Sequence, residues 1–241
     1  MDGAVVLDVA QLEALLARLE TAFEGQRQFI ANASHELRTP LAVMRSNVDV
    51  ALARPDRSTG ELRDMMRDIG VSVEHSERLI GALLTLARNE RGLAVHDEVD
   101  LATAAEDALE TVPLRGLRVH ATLKPAVILG DPVLAERLVA NLIDNAARYN
   151  VPGGDIWITT SATDGHAQLE VANTGPVIDP ADVDGLFQPF QRLAARTSRD
   201  GFGLGLAIVA SIAAVHHGNA AARPRCDGGL SVTVSIPVAM S

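Results

Sequence analysis

A histidine on the outer face of a long helix is the first residue whose position could serve chemistry. His35 lies in a stretch where apolar residues recur at every seventh position, and Leu37 occupies position a of that repeat. His35 then falls at position f, which faces away from the apolar seam and presents the imidazole to solvent. An isolated surface histidine is usually inert, so this placement alone assigns it no role. Pro40 removes a backbone donor and predicts a kink just beyond the histidine.

A second group of polar side chains shares one face of a helix in the C-terminal half. Asn141, Asn145 and Arg148 follow one another at four- and three-residue spacing. Asparagine is a poor helix former, and solvated helix faces usually carry Glu, Lys or Arg, so two asparagines argue against a face that only meets water. Their neutral amide oxygens suit a Mg²⁺ ion that also holds phosphates and waters.

A glycine-rich run opens a later helix. It comprises, in order, Gly201, Phe202, Gly203, Leu204, Gly205 and Leu206. Glycines allow the backbone to approach a phosphate chain closely, and the N-terminus of a helix supplies free N–H groups and a positive dipole end. Such a triplet is weak evidence by itself, but this chain has no Walker A lysine motif that would offer another phosphate site.

Two long helices must carry His35. The heptad seam predicts a helix over about residues 9–54, turn residues follow at 54–60, and three-four spacing of apolar residues predicts a second helix over 61–89. The first seam consists of Val9, Leu16, Phe23, Ile30, Leu37, Met44 and Ala51. A hairpin with an apolar stripe on each helix cannot bury both stripes alone, whereas two hairpins can do so as a four-helix bundle. We therefore predict a homodimer through residues 25–91.

After Gly92 the pattern changes to strands that alternate with helices. Strands are predicted over 119–123, 127–130, 156–162, 167–172 and around 232–236, with Asp164-Gly165 as a hairpin turn. Asp131-Pro132 combines an N-cap acid with proline at the first helical position and so predicts a helix start. A last helix is predicted over 204–216. These elements favour an α+β layered domain with helices against one face of a mixed sheet.

Composition excludes several classes of protein. The 241 residues carry a net charge of −10, which argues against general nucleic-acid binding. Cys226 is the one cysteine, so no intrachain disulfide is possible. No apolar run reaches the roughly 20 residues that a membrane span requires, and residues 1–10 do not read as a signal peptide. The heptads begin almost at Met1, so we expect that the sequence was cut from a longer chain.

These motifs resemble those of sensor histidine kinases over essentially the whole chain. Residues 35–41 read His-Glu-Leu-Arg-Thr-Pro-Leu, which is similar to the family's H box, and residues 141–149 resemble its N box. Residues 186–190 resemble the F box, and 201–206 resemble the second glycine box. The resemblance implies a linker helix in 1–24, a HisKA-type dimerisation and phosphotransfer domain in 25–91, and a catalytic domain in 92–241. That domain is expected to be a two-layer sandwich of the GHKL/histidine-kinase ATPase type.

The resemblance also implies roles for individual residues. His35 would receive the γ-phosphoryl group of ATP, Glu36 would take the imidazole proton, and Thr39 would help to place a water in a phosphatase reaction. The nucleotide-binding residues would be Asn141, Asn145, Arg148, Tyr149, Asn173, Gly175, Phe190, Arg192, Gly201, Gly203, Leu204, Gly205 and Leu206. Of these, one or both of Asn141 and Asn145 would reach Mg²⁺. Residues 191–200 would form a mobile lid over ATP. The phosphoryl group would pass to an aspartate of a response regulator, on the cytoplasmic side of a protein anchored in the plasma membrane.

The chain departs from the family at the first glycine box. The family usually reads Asp-x-Gly-x-Gly, and its acid accepts a hydrogen bond from the adenine amino group. This chain has Asn173-Thr174-Gly175-Pro176-Val177. Asn173 is a neutral and weaker acceptor, and Val177 would be strained if a positive φ were needed there. We expect weakened or altered ATP binding rather than its loss.

Two other functions fit parts of the pattern. One is an ATPase of the same nucleotide-binding superfamily, such as the chaperone or mismatch-repair type, which the H box and helical hairpin argue against. The other is a dimeric scaffold that binds the regulator, and dephosphorylates it, with little nucleotide binding; Asn173 and Val177 favour it. The remaining histidines show no metal-ligand spacing and are interpreted as structural or solvated: His75, His96, His120, His166, His216 and His217.

Overall fold

The computed structural model describes residues 9–53, 58–89, 95–114, 116–192 and 201–238. The chain divides into two compact units, the first of which ends at Leu79 and the second of which begins at Ile80. The predicted fold class, a helical hairpin followed by an α+β domain, is confirmed. The boundaries predicted after residues 24 and 91 remain predictions.

The two long helices occur where their apolar spacing predicts them. Helix α1 spans Val9–Ala53 and continues through Pro40, and helix α2 spans Thr59–Asn89. Helix α2 begins two residues before its predicted start because Ser58 and Glu61 form a capping box. The Glu61 N–H donates to Ser58 Oγ at 3.2 Å, and the Ser58 N–H donates to Glu61 Oε2 at 3.0 Å.

Both helices leave apolar side chains uncovered within the single chain. Those of α1 include Leu12, Leu16, Leu19, Phe23 and Ile30, each between 50% and 57% exposed. Those of α2 include Met66, Val73 and Ile80. Scattered exposed leucines need no explanation, but a row at three- and four-residue spacing is typical of a helix face that packs against another helix.

The second unit contains a five-stranded mixed sheet. Its strands are β2 Arg118–Leu123, β4 Asp155–Thr163, β5 His166–Asn173, β6 Asn219–Pro224 and β7 Leu230–Pro237. They lie in the order β2-β4-β5-β7-β6; β2 pairs with β4 in parallel, and the other three pairs are antiparallel. A separate antiparallel pair joins β1 Asp97–Asp100 to β3 Val127–Gly130.

Three helices form the second layer: α3 Leu101–Thr111, α4 Pro132–Arg148 and α5 Gly205–Val215. Helix α4 packs between α3 and α5 and against β5. Alternate residues of the central strands, such as Ile156, Ile158 and Leu169, are buried and form the core with the apolar faces of these helices. Two short 3₁₀ helices, Pro180–Asp182 and Asp184–Phe187, follow β5. None of the helices in the described part of the chain is both long and apolar enough to cross a membrane.

Candidate functional site

The asparagine face of α4 meets the glycine loop that opens α5. A Cβ atom built on Gly205 would lie 3.7 Å from Asn141 Oδ1, and one built on Gly201 would lie 3.0 Å from the Tyr149 hydroxyl oxygen. Asn141 Nδ2 donates to the Arg137 carbonyl at 2.7 Å, which directs the amide oxygen towards the loop. The two motifs, 60 residues apart in sequence, therefore form one surface.

Helix α4 presents the remaining polar groups of this surface. Asn145 is half-buried, and Arg148 Nη2 forms an ion pair of 2.8 Å with Asp144 Oδ2, one helical turn earlier. Tyr149 ends the helix, where its N–H donates to the Asn145 carbonyl at 3.1 Å. Asp131 begins the helix as predicted, because its carboxylate accepts the N–H of Val133 at 2.9 Å.

The glycine loop is tied to the Phe-containing segment before it. The Phe190 N–H donates to the Gly203 carbonyl at 2.9 Å. Gly203 has a φ of +69°, and a Cβ there would lie 2.6 Å from the Gln191 carbonyl oxygen, so this position requires glycine. Leu204 and Leu206 are buried and anchor the loop to the core. Arg192 is exposed, and the other predicted lid residues, 193–200, lie outside the described residues.

The end of strand β5 forms a further side of the surface made by α4 and the glycine loop. Asn173 is 3% exposed, and its Nδ2 donates to the Thr174 carbonyl at 2.7 Å and to the Tyr149 carbonyl at 3.5 Å. A Cβ on Gly175 would lie 3.1 Å from the Tyr149 carbonyl oxygen. These contacts bring Asn173 and Gly175 to the C-terminal end of α4. Val177 does not have a positive φ, so the condition under which it would be strained does not arise.

Sequence reasoning missed the turn between β6 and β7. Gly228 and Gly229 have φ values of +87° and +97°, and the Gly229 N–H donates to the Pro176 carbonyl at 2.9 Å. A side chain at Gly229 would overlap the carbonyl oxygen of Asn173. The available signal was the sequence Asp227-Gly228-Gly229, which is typical of a tight turn but does not reveal which strand the turn contacts.

His216 joins the ends of α4 and α5. Its Nδ1 lies 2.8 Å from the Ile212 carbonyl, and its Nε2 accepts the Asp131 N–H at 3.2 Å. This pair of bonds requires a neutral ring with the proton on Nδ1. Gly130 leaves room for the ring, since any side chain there would overlap it. His216 thus fixes the start of α4 relative to α5, and with it the helix that carries Asn141.

We expect acid to destabilise the second unit through His216. Burial is the main cause that lowers the pKa of His216. The Ile212 carbonyl and the Asp131 carboxylate raise this pKa, whereas the neighbouring His217 and His96 lower it further. Because the pKa of His216 is lower in the folded state, its contribution to stability is present when the pH is above the unfolded-state pKa of about 6.5, and it is lost as the pH falls below that value. The thermal midpoint of the protein, followed by circular dichroism, should decrease as the pH is lowered from 7.5 to 5.5. In His216→Gln the midpoint should be lower at pH 7.5 and vary less with pH; an unchanged slope would contradict this role.

His35 is exposed on α1, as its position in the heptad predicts. Thr39 lies one turn later, and its Oγ1 donates to the His35 carbonyl at 3.4 Å. Glu36 is half-buried. One face of the helix lines a shallow open pocket through His35, Arg38, Thr39, Ala42, Val43 and Ser46. The imidazole is therefore accessible to a reactant from outside the helix.

Comparison with known proteins gives two family matches. Residues 25–92 match the His Kinase A (phospho-acceptor) domain. Residues 130–240 match the histidine kinase-, DNA gyrase B-, and HSP90-like ATPase domain, which implies ATP binding. Both groups of residues described above lie within these ranges.

Individual proteins show the same likeness. The sensor protein CutS of Streptomyces coelicolor is 43% identical over 231 residues, which are 93% of this chain and 56% of CutS. The chain thus spans little more than half the length of that relative. The solved structure of the mycobacterial sensor histidine kinase MprB is 31% identical, with a TM-score of 0.54, over 61% of this chain and 100% of that one. Histidine kinase ThkA, solved in complex with the response regulator protein TrrA, shares the fold at 18% identity, with a TM-score of 0.70 over 98% of this chain and 68% of that one.

Proposed function

The chain belongs to the sensor histidine kinase family, and from that premise we propose that it binds ATP in residues 92–241 and phosphorylates His35. The observation that carries this proposal is the meeting of Asn141 with Gly205 and of Tyr149 with Gly201. An amide oxygen, a guanidinium and a glycine-lined helix N-terminus on one surface suit a metal-bound triphosphate. A scaffold without nucleotide would not require this juxtaposition.

Each predicted residue has a proposed task at this surface. Asn141 and Asn145 offer amide oxygens to Mg²⁺, which neutralises charge on the phosphates when it is bound. The phosphate chain would lie against Gly201, Gly203, Leu204, Gly205 and Leu206, with Arg148 and Arg192 as basic partners. The adenine would lie with Tyr149 on one side and with Asn173 and Gly175 on the other, and Phe190 would support the loop. Asn173 would accept a hydrogen bond from the exocyclic amino group.

The proposed reaction is an in-line phosphoryl transfer. A neutral His35 nitrogen, Nε2, attacks the γ-phosphorus, the bond from that phosphorus to the β–γ bridging oxygen breaks, and ADP leaves. The ring proton passes to the Glu36 carboxylate. Catalysis by the remaining residues consists of positioning and charge neutralisation, as is usual for this reaction class.

A response regulator is the proposed second substrate. The exposed face around His35 and Thr39 would receive it, and an aspartate of the regulator would take the phosphoryl group from the imidazole. The ThkA structure holds such a regulator, which supports this kind of partner for the present chain. Thr39 shares the helix face of His35 and is proposed to place a water for dephosphorylation of the regulator. We propose that these domains lie on the cytoplasmic side of the plasma membrane in a membrane-anchored protein.

A homodimer is the proposed assembly, because the apolar rows of α1 and α2 need a cover. Burial of one isoleucine contributes about 1.5–3 kcal/mol, so several such residues favour association of two hairpins. Ile30→Glu should therefore lower the molar mass measured by light scattering from about twice 25.5 kDa towards 25.5 kDa. Gln28→Glu introduces the same charge at an outward position f and should remain dimeric. Equal masses for the two variants would contradict this interface.

The kinase proposal is tested by labelling with γ-³²P ATP and Mg²⁺. The purified protein should acquire acid-labile, base-stable label that maps to the peptide containing His35. Steady release of phosphate without a phosphoenzyme would instead indicate a superfamily ATPase. No ATP binding at millimolar concentration would indicate a scaffold.

A further inference from the structure

We propose that Asn150 and Thr174 form a hydrogen-bonded clamp that positions Asn173 and thereby sets the base selectivity of the nucleotide site. This inference rests on the proposed ATP binding and deepens it. Neither Asn150 nor Thr174 belongs to the residues predicted to touch nucleotide. They are positioning residues, which act through the Asn173 amide.

The clamp joins three elements at one point. Thr174 Oγ1 donates to Asn150 Oδ1 at 2.5 Å and accepts the Asp155 N–H at 2.9 Å. The Asp155 carbonyl accepts the Thr174 N–H at 3.0 Å and Asn150 Nδ2 at 3.0 Å. Asn150 follows the end of α4, Asp155 begins β4, and Thr174 follows the end of β5. Each side chain of the pair thus uses both donor and acceptor capacity within the clamp.

A glycine in the loop between α4 and β4 leaves space for the two side chains of the clamp. Gly154 is buried, and a Cβ there would overlap both Asn150 Oδ1 and Thr174 Oγ1. The Gly154 N–H donates to the Val151 carbonyl at 3.0 Å, which closes the loop between α4 and β4. A glycine at this position is therefore required by the close approach of two polar side chains.

The clamp determines the direction of the Asn173 amide. Its Nδ2 donates to the carbonyls of Tyr149 and Thr174. Tyr149 directly precedes Asn150 in the chain, and Thr174 is itself a member of the clamp. The clamp therefore fixes the two acceptors that hold the amide nitrogen. Because both hydrogen bonds use the amide nitrogen, the amide oxygen is the group of Asn173 that is left for a ligand, and it would select a hydrogen-bond donor.

The fixed orientation allows a neutral side chain to distinguish adenine from guanine. An asparagine free to rotate could accept from the 6-amino group of adenine or donate to the 6-oxo group of guanine, so it would discriminate poorly between them. A rigidly held amide oxygen faces the guanine oxo group with a second acceptor, which leaves both groups without a partner. Mismatched buried polar groups reduce affinity strongly. The clamp thus preserves preference for adenine although the acid of the family motif is absent.

The experiment measures binding of ATP and of GTP, each with Mg²⁺, by isothermal titration of the whole chain. The wild-type protein should bind ATP about tenfold or more tightly than GTP. Thr174→Val, which is nearly isosteric, should weaken ATP binding about tenfold and reduce the ATP-to-GTP preference. Thr174→Ser retains the hydroxyl and should restore both values. Thr159→Val makes the same change at an exposed position of β4 and should leave both unchanged.

A purely structural role would give another result. Thr174→Val would then lower the thermal midpoint and weaken both nucleotides in parallel, with their ratio unchanged, and this outcome overturns the clamp as a selectivity device. Wild-type affinities and ratio in Thr174→Val overturn it also. If the wild-type protein binds no ATP, the proposed function fails and this inference fails with it, whereas ATP binding with an unaffected ratio removes the inference alone.

Discussion

Replacement of His35 by glutamine is expected to reduce incorporation of phosphate from ATP to background, a loss of at least about 10³-fold. The imidazole is the proposed nucleophile, and the glutamine amide has no comparable lone pair on nitrogen. His35 is exposed on α1, so the substitution removes no core packing and should leave the thermal midpoint close to that of the wild-type protein. Labelled MgATP, denaturing gel electrophoresis and phosphorimaging provide the measurement.

The control separates His35 from histidine in general. His166 is also exposed, at the start of β5, and its Nδ1 lies 3.1 Å from the nearby Asp164 carbonyl oxygen. His166→Gln should therefore incorporate label as the wild-type protein does. ATP affinity should be retained in His35→Gln, because this residue is not part of the proposed nucleotide surface. Label that persists in His35→Gln would exclude His35 as the phosphoacceptor.

The elements with a clear periodic pattern could be predicted from sequence. The heptads of α1, the Asp131-Pro132 start of α4 and the β4–β5 hairpin each follow from a local physical rule. In the hairpin, Asp164 and Gly165 have φ values of +52° and +74°, which the tight turn requires and which these residue types tolerate. The type of each of these elements is determined by its own residues, and packing against neighbouring elements changes only the positions where it begins and ends.

Helix α3 and strands β1 and β6 were not predicted because their residues carry little local signal. Helix α3 fills its side of the core with alanines, so no row of large apolar residues marks it. Strand β1 consists largely of acidic residues and is paired only with β3. Strand β6 is an edge strand that contains three alanines and ends in proline. Tertiary packing rather than propensity determines these segments.

The polar face of α4 could be predicted from sequence, but its contacts with other elements could not. Spacing on α4 indicates that Asn141 and Arg148 share a face, yet only the packing of α4 on α5 brings that face to Gly205. The Asn150–Thr174 contact joins residues 24 positions apart through a loop and two strands. Sequence alone also left open whether residue 177 needs a positive φ, and the structure shows that it does not. Long-range hydrogen bonds of this kind have no local sequence signature.

The second large effect is expected at Asn141. Asn141→Ala should reduce the rate of autophosphorylation by about 10²- to 10³-fold, since removal of one preorganised polar group at a reacting charge typically has that effect. Alanine is the better helix former by up to about 0.7 kcal/mol, which offsets the lost bond from Nδ2 to the Arg137 carbonyl. The thermal midpoint should therefore change little. The amide nitrogen of Asn141 is bonded within α4, so the proposed task outside the helix belongs to the amide oxygen.

The control for Asn141 lies on the same helix. Glu136 is exposed on α4, and Glu136→Ala should leave the labelling rate within about twofold of wild type, as expected for a surface change away from the site. The metal dependence distinguishes the proposed task from simple contact with ATP. If Asn141 holds Mg²⁺, the variant should require a higher Mg²⁺ concentration for half-maximal label at saturating ATP. A normal Mg²⁺ dependence combined with a reduced ATP affinity would assign Asn141 to the nucleotide rather than to the metal, and a normal labelling rate would remove it from the site.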